Sequence, residues 1–356
     1  MSFLLAFVGF ATLIVLHELG HFAAAKAVGM RVERFSLFFP PLAVRKKWGE
    51  TEYAIGLVPL GGYVKISGQN PHEELPPEVA HRGYFRQPVW KRVVVIAAGP
   101  AVNIVLAFMI LWALFWAQGV REPTNRIDRI NAPPALGVLA PGDKLVEVDG
   151  VRGDFETLKK QIASHTCRGE QVNGCKAATP ATITVSLRGV ERTERLRPVY
   201  DAGQDDMLVG FSVGTTPRAV GPAEAASLSV SEMWFFTTKT VDTIANIFNA
   251  QDRKQISGVV GSYEATRQTI EISVTRAVYL LAVISLSLGV INLFPFLPLD
   301  GGHIFWALAE KVRGRAIPFS VMERAGFVGF VLVIALFMIG FTNDVGRLTG
   351  EGFGVR

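Results

Sequence analysis

The chain has 356 residues, 49 % of them hydrophobic, with a formal net charge of +5 and a mean hydropathy of +0.31. That balance excludes an ordinary soluble globular protein and directs attention to where the apolar residues collect. The basic excess carries no stripe of interleaved aromatics, so no nucleic acid is implied as a partner.

The apolar residues form four blocks, at 3–25, 93–117, 277–296 and 327–341. Each comes near the ~20 residues that cross a hydrocarbon layer about 30 Å thick, the fourth by extension at either side. The first block reads as a span, not a cleaved leader: no Lys or Arg precedes it, and the first basic residue is Lys26. Within it stands "VLHELGHFAA". On a helix His17 and His21 lie on one face, one turn apart, and two imidazoles so placed can bind one Zn2+. Glu18 can reach a water at such a metal without being a ligand. This His-Glu-x-x-His spacing is the signature of zinc metalloproteases. Ionisable groups at bilayer depth are costly, about 3 kcal/mol each on insertion scales, so three within one turn imply a function.

Residues of about 31–68 alternate and are β-rich, with turns at Pro40–Pro41 and Trp48–Glu50. They are expected to form a small membrane-associated β-loop beside the metal, where non-helical backbone is tolerated only against protein or a wet cavity. Gly56, Gly61 and Gly62 would let its backbone bend or approach a partner. Residues 69–90 read as a loop in which His72 and His81 are solvated.

Residues 121–215 hold short strands and Gly/Pro turns. They include a strand into a tight Asp149–Gly150 turn, a helix from about Phe155, and strands at "ATITVSL" and "RTERLRPV". Cys167 and Cys175 close a short segment there, either as a disulfide or as two separate thiols. From 222 to 250, Val230, Met233, Trp234, Thr237, Val241, Ile244 and Phe248 recur at helical spacing. That amphipathic helix packs on a neighbouring domain or lies on the membrane surface.

A third metal ligand is needed. The end of the third block reads "NLFPFLPLDGGH", where Pro295 and Pro298 break the helix and Gly301 and Gly302 relax the chain. Asp300 is a candidate there, with a plain turn Asp as the other reading and His303 as a second candidate. Asn292 either caps backbone freed by Pro295 or contacts substrate.

Basic residues set the orientation. Arg31, Arg34, Arg45, Lys46, Lys47, Lys65, Arg82, Arg86, Lys91 and Arg92 follow the first span, and Lys311, Arg313, Arg315 and Arg324 follow the third. Both connections are expected in the cytoplasm. The long stretch after the second span and both termini are then extracytoplasmic, with the protein in the inner (plasma) membrane.

His17-Glu18-Leu19-Gly20-His21 with Asn292 and Leu299-Asp300-Gly301 resembles the site-2 protease family of intramembrane zinc proteases. Gly99-Pro100-Ala101-Val102-Asn103 is similar to its GPxxN element, and Gly61-Gly62-Tyr63-Val64-Lys65 to its β-loop. "GDKLVEVDG" resembles the strand and turn of the PDZ domain carried outside the membrane by the sigma-factor-regulating bacterial branch. The likeness covers nearly the whole chain, in order. It implies His17, His21 and Asp300 as zinc ligands and Glu18 as catalytic base. It implies Asn292, Asn103, Gly61, Gly62, Tyr63 and Val64 as groups beside the substrate. The implied organisation is 1–120 with spans one and two, 121–215 as one PDZ-like α/β domain, 216–276 as amphipathic linker helices and 277–356 with spans three and four. The implied activity is cleavage of single-span membrane proteins in the lipid bilayer, among them anti-sigma factors already clipped by a site-1-type protease, or leftover signal peptides. Two departures stand out: "PFLPLDG" sets the second proline one place nearer Asp300 than is usual, and Val259 stands where a proline is common.

Two other functions compete. A membrane-bound PDZ scaffold with a structural metal site has no use for Glu18. A metal transporter sits poorly with four spans, no inverted repeat and a large β-rich segment.

Overall fold

The computed structural model describes residues 2–70, 73–246, 249 and 258–350; His72 and Phe248 lie outside the described residues. The chain divides into two units, one of residues 1–117 and 221–356, the other of residues 118–220.

In the first unit the elements run α1 (Ser2–Ala27), β1 (Val32–Trp48), β2 (Thr51–Ile66), the single turn α2 (Pro77–Ala80) and α3 (Val89–Gln118). After the second unit come α5 (Pro222–Ala245), α6 (Val259–Ile272), α7 (Val274–Asn292), α8 (Asp300–Arg313) and α9 (Phe319–Thr349). Four of these, α1, α3, α7 and α9, are long and apolar enough to cross a membrane. Their large side chains stay exposed along the outer faces, as at Phe3, Val105, Trp116, Phe327 and Phe330, which suits lipid and not water.

The sheet is more folded than two strands suggest. Phe38 takes a positive φ of 68° just before Pro40 and Pro41, and the register breaks between Phe39 and Leu42. Residues 34–37 therefore lie against 52–55 on one side and 62–65 on the other, while 44–48 pair with 51–55. The expected turn at Pro40–Pro41 is this bend inside β1. Segment 62–66 is an edge of the sheet, with no strand on its far side among the described residues. A core of Ala25, Met30, Val32, Ile66, Tyr84, Val95 and Ile96 ties the sheet to the ends of α1 and α3. At the hairpin tip Glu50 pairs with Lys26 of α1 at 2.7 Å and with Arg82 at 2.7 Å.

The third apolar block ends as a helix at Asn292, four residues before Phe296, because the prolines that follow cannot continue it. The connection to the fourth span is not a short loop. It contains α8, whose first residue is Asp300 and whose end is set by Gly314 at φ 71°, with its N–H on the Glu310 carbonyl at 3.0 Å. Arg92 of α3, only 3 % exposed, clamps Glu310 of α8 with two hydrogen bonds of 3.0 and 2.8 Å. The amphipathic helix α5 packs on α7, where Tyr279 donates to Glu232.

The second unit holds β3 (Val120–Ile130), β4 (Lys144–Val148), β5 (Val151–Arg152), α4 (Phe155–Ala163), β6 (Ala181–Leu187), β7 (Val190–Leu196), β8 (Val199–Asp201), β9 (Asp206–Leu208) and β10 (Phe211–Arg218). The main sheet runs β10-β3-β4-β6-β7, with β5 on β4. Leu158 and Ile162 of α4 bury against Ile127, Leu145, Val148, Ile183, Val185 and Leu196. Asp149 and Gly150 both take positive φ, 50° and 83°, as a tight hairpin requires. Asp154 caps α4 by accepting from the Thr157 amide at 2.9 Å. Cys167 and Cys175 form a disulfide with a Cα–Cα distance of 6.1 Å, beside a small cluster of Ala177, Tyr200 and Met207. Val120 pairs with Arg218, so the chain enters and leaves this unit side by side.

Candidate metal centre and active site

Four-residue spacing on one helix meets four-residue spacing on another. His17 and His21 project from α1 toward α3, which runs the opposite way, so that His21 faces Val95 and Gly99 while His17 faces Asn103. Gly20 gives the close approach: a Cβ there would stand 2.6 Å from the Ala98 carbonyl oxygen. Gly99 gives His21 its space, since a side chain at that position would overlap the imidazole.

Both histidines are buried, each 7 % exposed. His17 Nε2 and His21 Nε2 are 3.2 Å apart, and each lies 3.3 Å from Asp300 Oδ2. Among the described residues these three form the only cluster of His, Cys, Asp or Glu ligand atoms close enough to share one ion. Three ligands of a tetrahedral zinc at ~2.0–2.1 Å lie about 3.3–3.4 Å from one another. The observed triangle is of that size, and the donor set of two nitrogens and one carboxylate oxygen suits zinc. Asp300 Oδ2 is buried without a hydrogen-bond partner, which an acceptor at a metal corner would be.

Asp300 reaches the histidines because the chain behind it is held tightly. Side chains on Gly301 or Gly302 would run into the backbone of Leu293–Phe294 and Phe296–Leu297. The Leu299 carbonyl accepts from Gly302 at 3.0 Å, so the Asp300 carboxylate opens the first turn of α8. His303, one turn on, is half-buried and stands outside the cluster.

Glu18 is half-buried and, among the described residues, makes no ion pair. It lies against the sheet edge: a Cβ on Gly62 would come 3.0 Å from Glu18 Cγ. Gly62 thus brings bare backbone to the glutamate, while a Cβ on Gly61 would meet the Phe39 ring at 2.9 Å. Tyr63 accepts from Arg34 Nη1 at 3.1 Å and stacks on Phe39 at 6.0 Å. Val64 pairs with Phe35. Asn292 is the last residue of α7 and half-buried. Asn103 is wholly buried, on the far side of His17 from Asp300, with Nδ2 3.2 Å from His17 Nδ1.

Gly99 stands out in the sequence only as part of the GPxxN element; the room it leaves for His21 and the Val95 carbonyl contact are not visible there. The usable signal was the spacing itself: Val95, Gly99 and Asn103 recur every four residues, as His17 and His21 do.

The profile of Peptidase family M50 matches residues 5–336. The chain belongs to peptidase family M50. It is similar to the Regulator of sigma-E protease RseP of Escherichia coli (strain K12), at 26 % identity covering 96 % of this chain and 97 % of that one. It is also similar to the Zinc metalloprotease Rip1 of Mycobacterium tuberculosis (strain ATCC 35801 / Erdman), at 28 % identity covering 93 % and 94 %. This M50 chain is an integral membrane zinc metalloendopeptidase of the site-2 type, which sets aside the scaffold and transporter readings.

Proposed function

We propose that His17, His21 and Asp300 hold the zinc ion and that Glu18 is the general base in hydrolysis of transmembrane segments of single-span membrane proteins. The observation that carries this reading is the triangle of 3.2–3.3 Å between His17 Nε2, His21 Nε2 and Asp300 Oδ2, built on a helix long and apolar enough to cross a bilayer. Bound there, zinc supplies Lewis acidity, polarising the scissile carbonyl and making water a competent nucleophile. Glu18 takes the proton of the attacking water and delivers it to the departing amine nitrogen. A peptide bond in a helix is hydrogen-bonded and must be unwound first. The 62–66 edge, whose pairing groups face away from β1 and which passes Glu18 at Gly62, accepts the unwound segment by strand addition. Asn292 hydrogen-bonds that segment near the metal.

In this reading the unit of residues 118–220 is an extracytoplasmic PDZ-like domain that limits access to substrates with small ectodomains or binds a newly exposed C-terminus. Two features support the placement. The Cys167–Cys175 disulfide fits an oxidising compartment, and the basic residues gather in the two other connections. The name of RseP ties that relative to regulation of sigma-E, and with it we take anti-sigma factors, first clipped outside by a site-1-type protease, as the proposed substrates. The test is a comparison of membrane fractions from cells expressing wild type and Glu18→Gln. The inactive enzyme should accumulate single-span fragments that lack most of their ectodomain. An unchanged set of membrane fragments would refute the substrate class.

A further inference from the structure

Three features of Asn103 belong together. It is wholly buried on a helix long and apolar enough to cross a membrane, where an amide left without a partner is costly. Its nitrogen faces His17 Nδ1 at 3.2 Å, and its Oδ1 is a buried atom with no hydrogen-bond partner. The two ends of an amide are alike in shape, so which end faces a neighbour follows from the hydrogen bonds.

His21 shows what the neighbour requires. Its Nδ1 lies 2.9 Å from the Val95 carbonyl oxygen. A carbonyl only accepts, so His21 carries its proton on Nδ1 and turns the Nε2 lone pair toward Asp300. If Asn103 Nδ2 donated to His17 Nδ1, the proton of a neutral His17 would sit on Nε2, pointing into the triangle and unable to ligate. With the amide reversed, Oδ1 accepts Nδ1–H, the nitrogen takes the place where the oxygen meets no donor, and the His17 Nε2 lone pair joins that of His21.

We infer that Asn103 is a positioning residue that fixes His17 in its Nδ1–H form through Oδ1, and that it acts on metal affinity through the histidine without touching substrate. The inference rests on His17 being a zinc ligand. Its surroundings support a fixed post: Ser285 of α7 donates to the Asn103 backbone carbonyl at 2.9 Å, and Gly289 leaves the Asn103 Cβ in contact at 3.4 Å from where its own Cβ would be. The backbone and Cβ of Asn103 are thus held against α7, with the amide turned to His17 of α1. A ligand histidine whose second nitrogen has such an acceptor is oriented and made more basic, and loss of the acceptor typically costs 10- to 100-fold in metal affinity.

The test is zinc affinity of the purified full-length protein, measured by chelator competition for wild type, Asn103→Leu, Asn103→Asp and Asp300→Ala, with melting temperatures of the metal-free forms. Asn103→Leu should bind zinc at least tenfold more weakly. Asn103→Asp, which keeps an acceptor for Nδ1–H, should bind within about threefold of wild type or tighter. With saturating zinc, Asn103→Leu should keep the wild-type KM. Wild-type zinc affinity in a folded Asn103→Leu, together with a raised KM, would overturn the inference in favour of substrate contact. If the leucine variant does not fold, a folded Asn103→Asp that has lost zinc more than tenfold overturns it as well. Should Asp300→Ala hold zinc like wild type, the ligand assignment itself fails, which is a different result from either.

Discussion

At the residue scale the site depends on what is missing as much as on what is present. Gly99 carries no side chain, and the His21 imidazole occupies the space where one would be. Gly99→Ala should therefore push His21 off Asp300 Oδ2, now 3.3 Å away, and lower zinc affinity by about tenfold or more while α3 remains a helix. Circular dichroism with zinc titration checks both halves. Asn292 offers a second case. It closes α7, and no hydrogen bond ties its amide to a neighbour among the described residues. A cap for backbone freed by Pro295 would show such a bond, and the proposed substrate contact gives a different outcome on substitution. Asn292→Ala should leave melting temperature and zinc content near wild type while kcat/KM falls about tenfold, roughly 1.4 kcal/mol of transition-state binding. A variant that melts early and cuts normally would favour the cap.

At the element scale, the hairpin tip between β1 and β2 is fastened to the end of α1 by charge. Hydrogen bonds from Arg82 and then Lys26 lower the Glu50 pKa from 4.5 to about 2. A carboxyl with a depressed folded pKa adds stability that is complete above its ordinary value and is lost as pH falls through the folded one. The tip should therefore hold above about pH 4.5 and loosen progressively toward pH 2, read as faster amide exchange at Thr51 and its neighbours. Glu50→Gln should show that loosened exchange at neutral pH and no further change on acidification. The sequence displayed much of this level. Uncharged runs marked all four apolar helices, and the Asp149–Gly150 turn marked the hairpin, with a helix expected from about Phe155, where α4 begins. It concealed α8, because Gly301 and Gly302 read as a loop when they serve close packing against Leu293–Leu297. It concealed the bend in β1, since register depends on partners distant along the chain. The proximity of His17 and His21 was readable because their spacing is local. Asp300 was one of two candidates on the residues alone, singled out by the resemblance, and the Asn103–His17 contact needed two helices placed side by side.

At the scale of the whole molecule, the two units have separate cores, and the cluster of ligand groups found among the described residues lies in the first. Because Val120 pairs with Arg218, residues 118–220 can be replaced by a short Gly/Ser linker without stretching the chain at either join. That deletion should retain zinc and cleave a short reporter segment at a rate within a few-fold of wild type, and it should admit substrates with larger ectodomains. Loss of cleavage in a zinc-loaded, folded deletion would contradict a gating role. In the proposed site one zinc is held by His17, His21 and Asp300, with Glu18 as a base and not a ligand. The most direct test is zinc stoichiometry and turnover measured on the same preparations of wild type, Glu18→Gln and Asp300→Ala. Wild type and Glu18→Gln should each hold one zinc per chain, with turnover lost in the latter, and Asp300→Ala should hold little zinc and show no turnover. A full zinc complement in Asp300→Ala, or its loss in Glu18→Gln, would contradict these assignments.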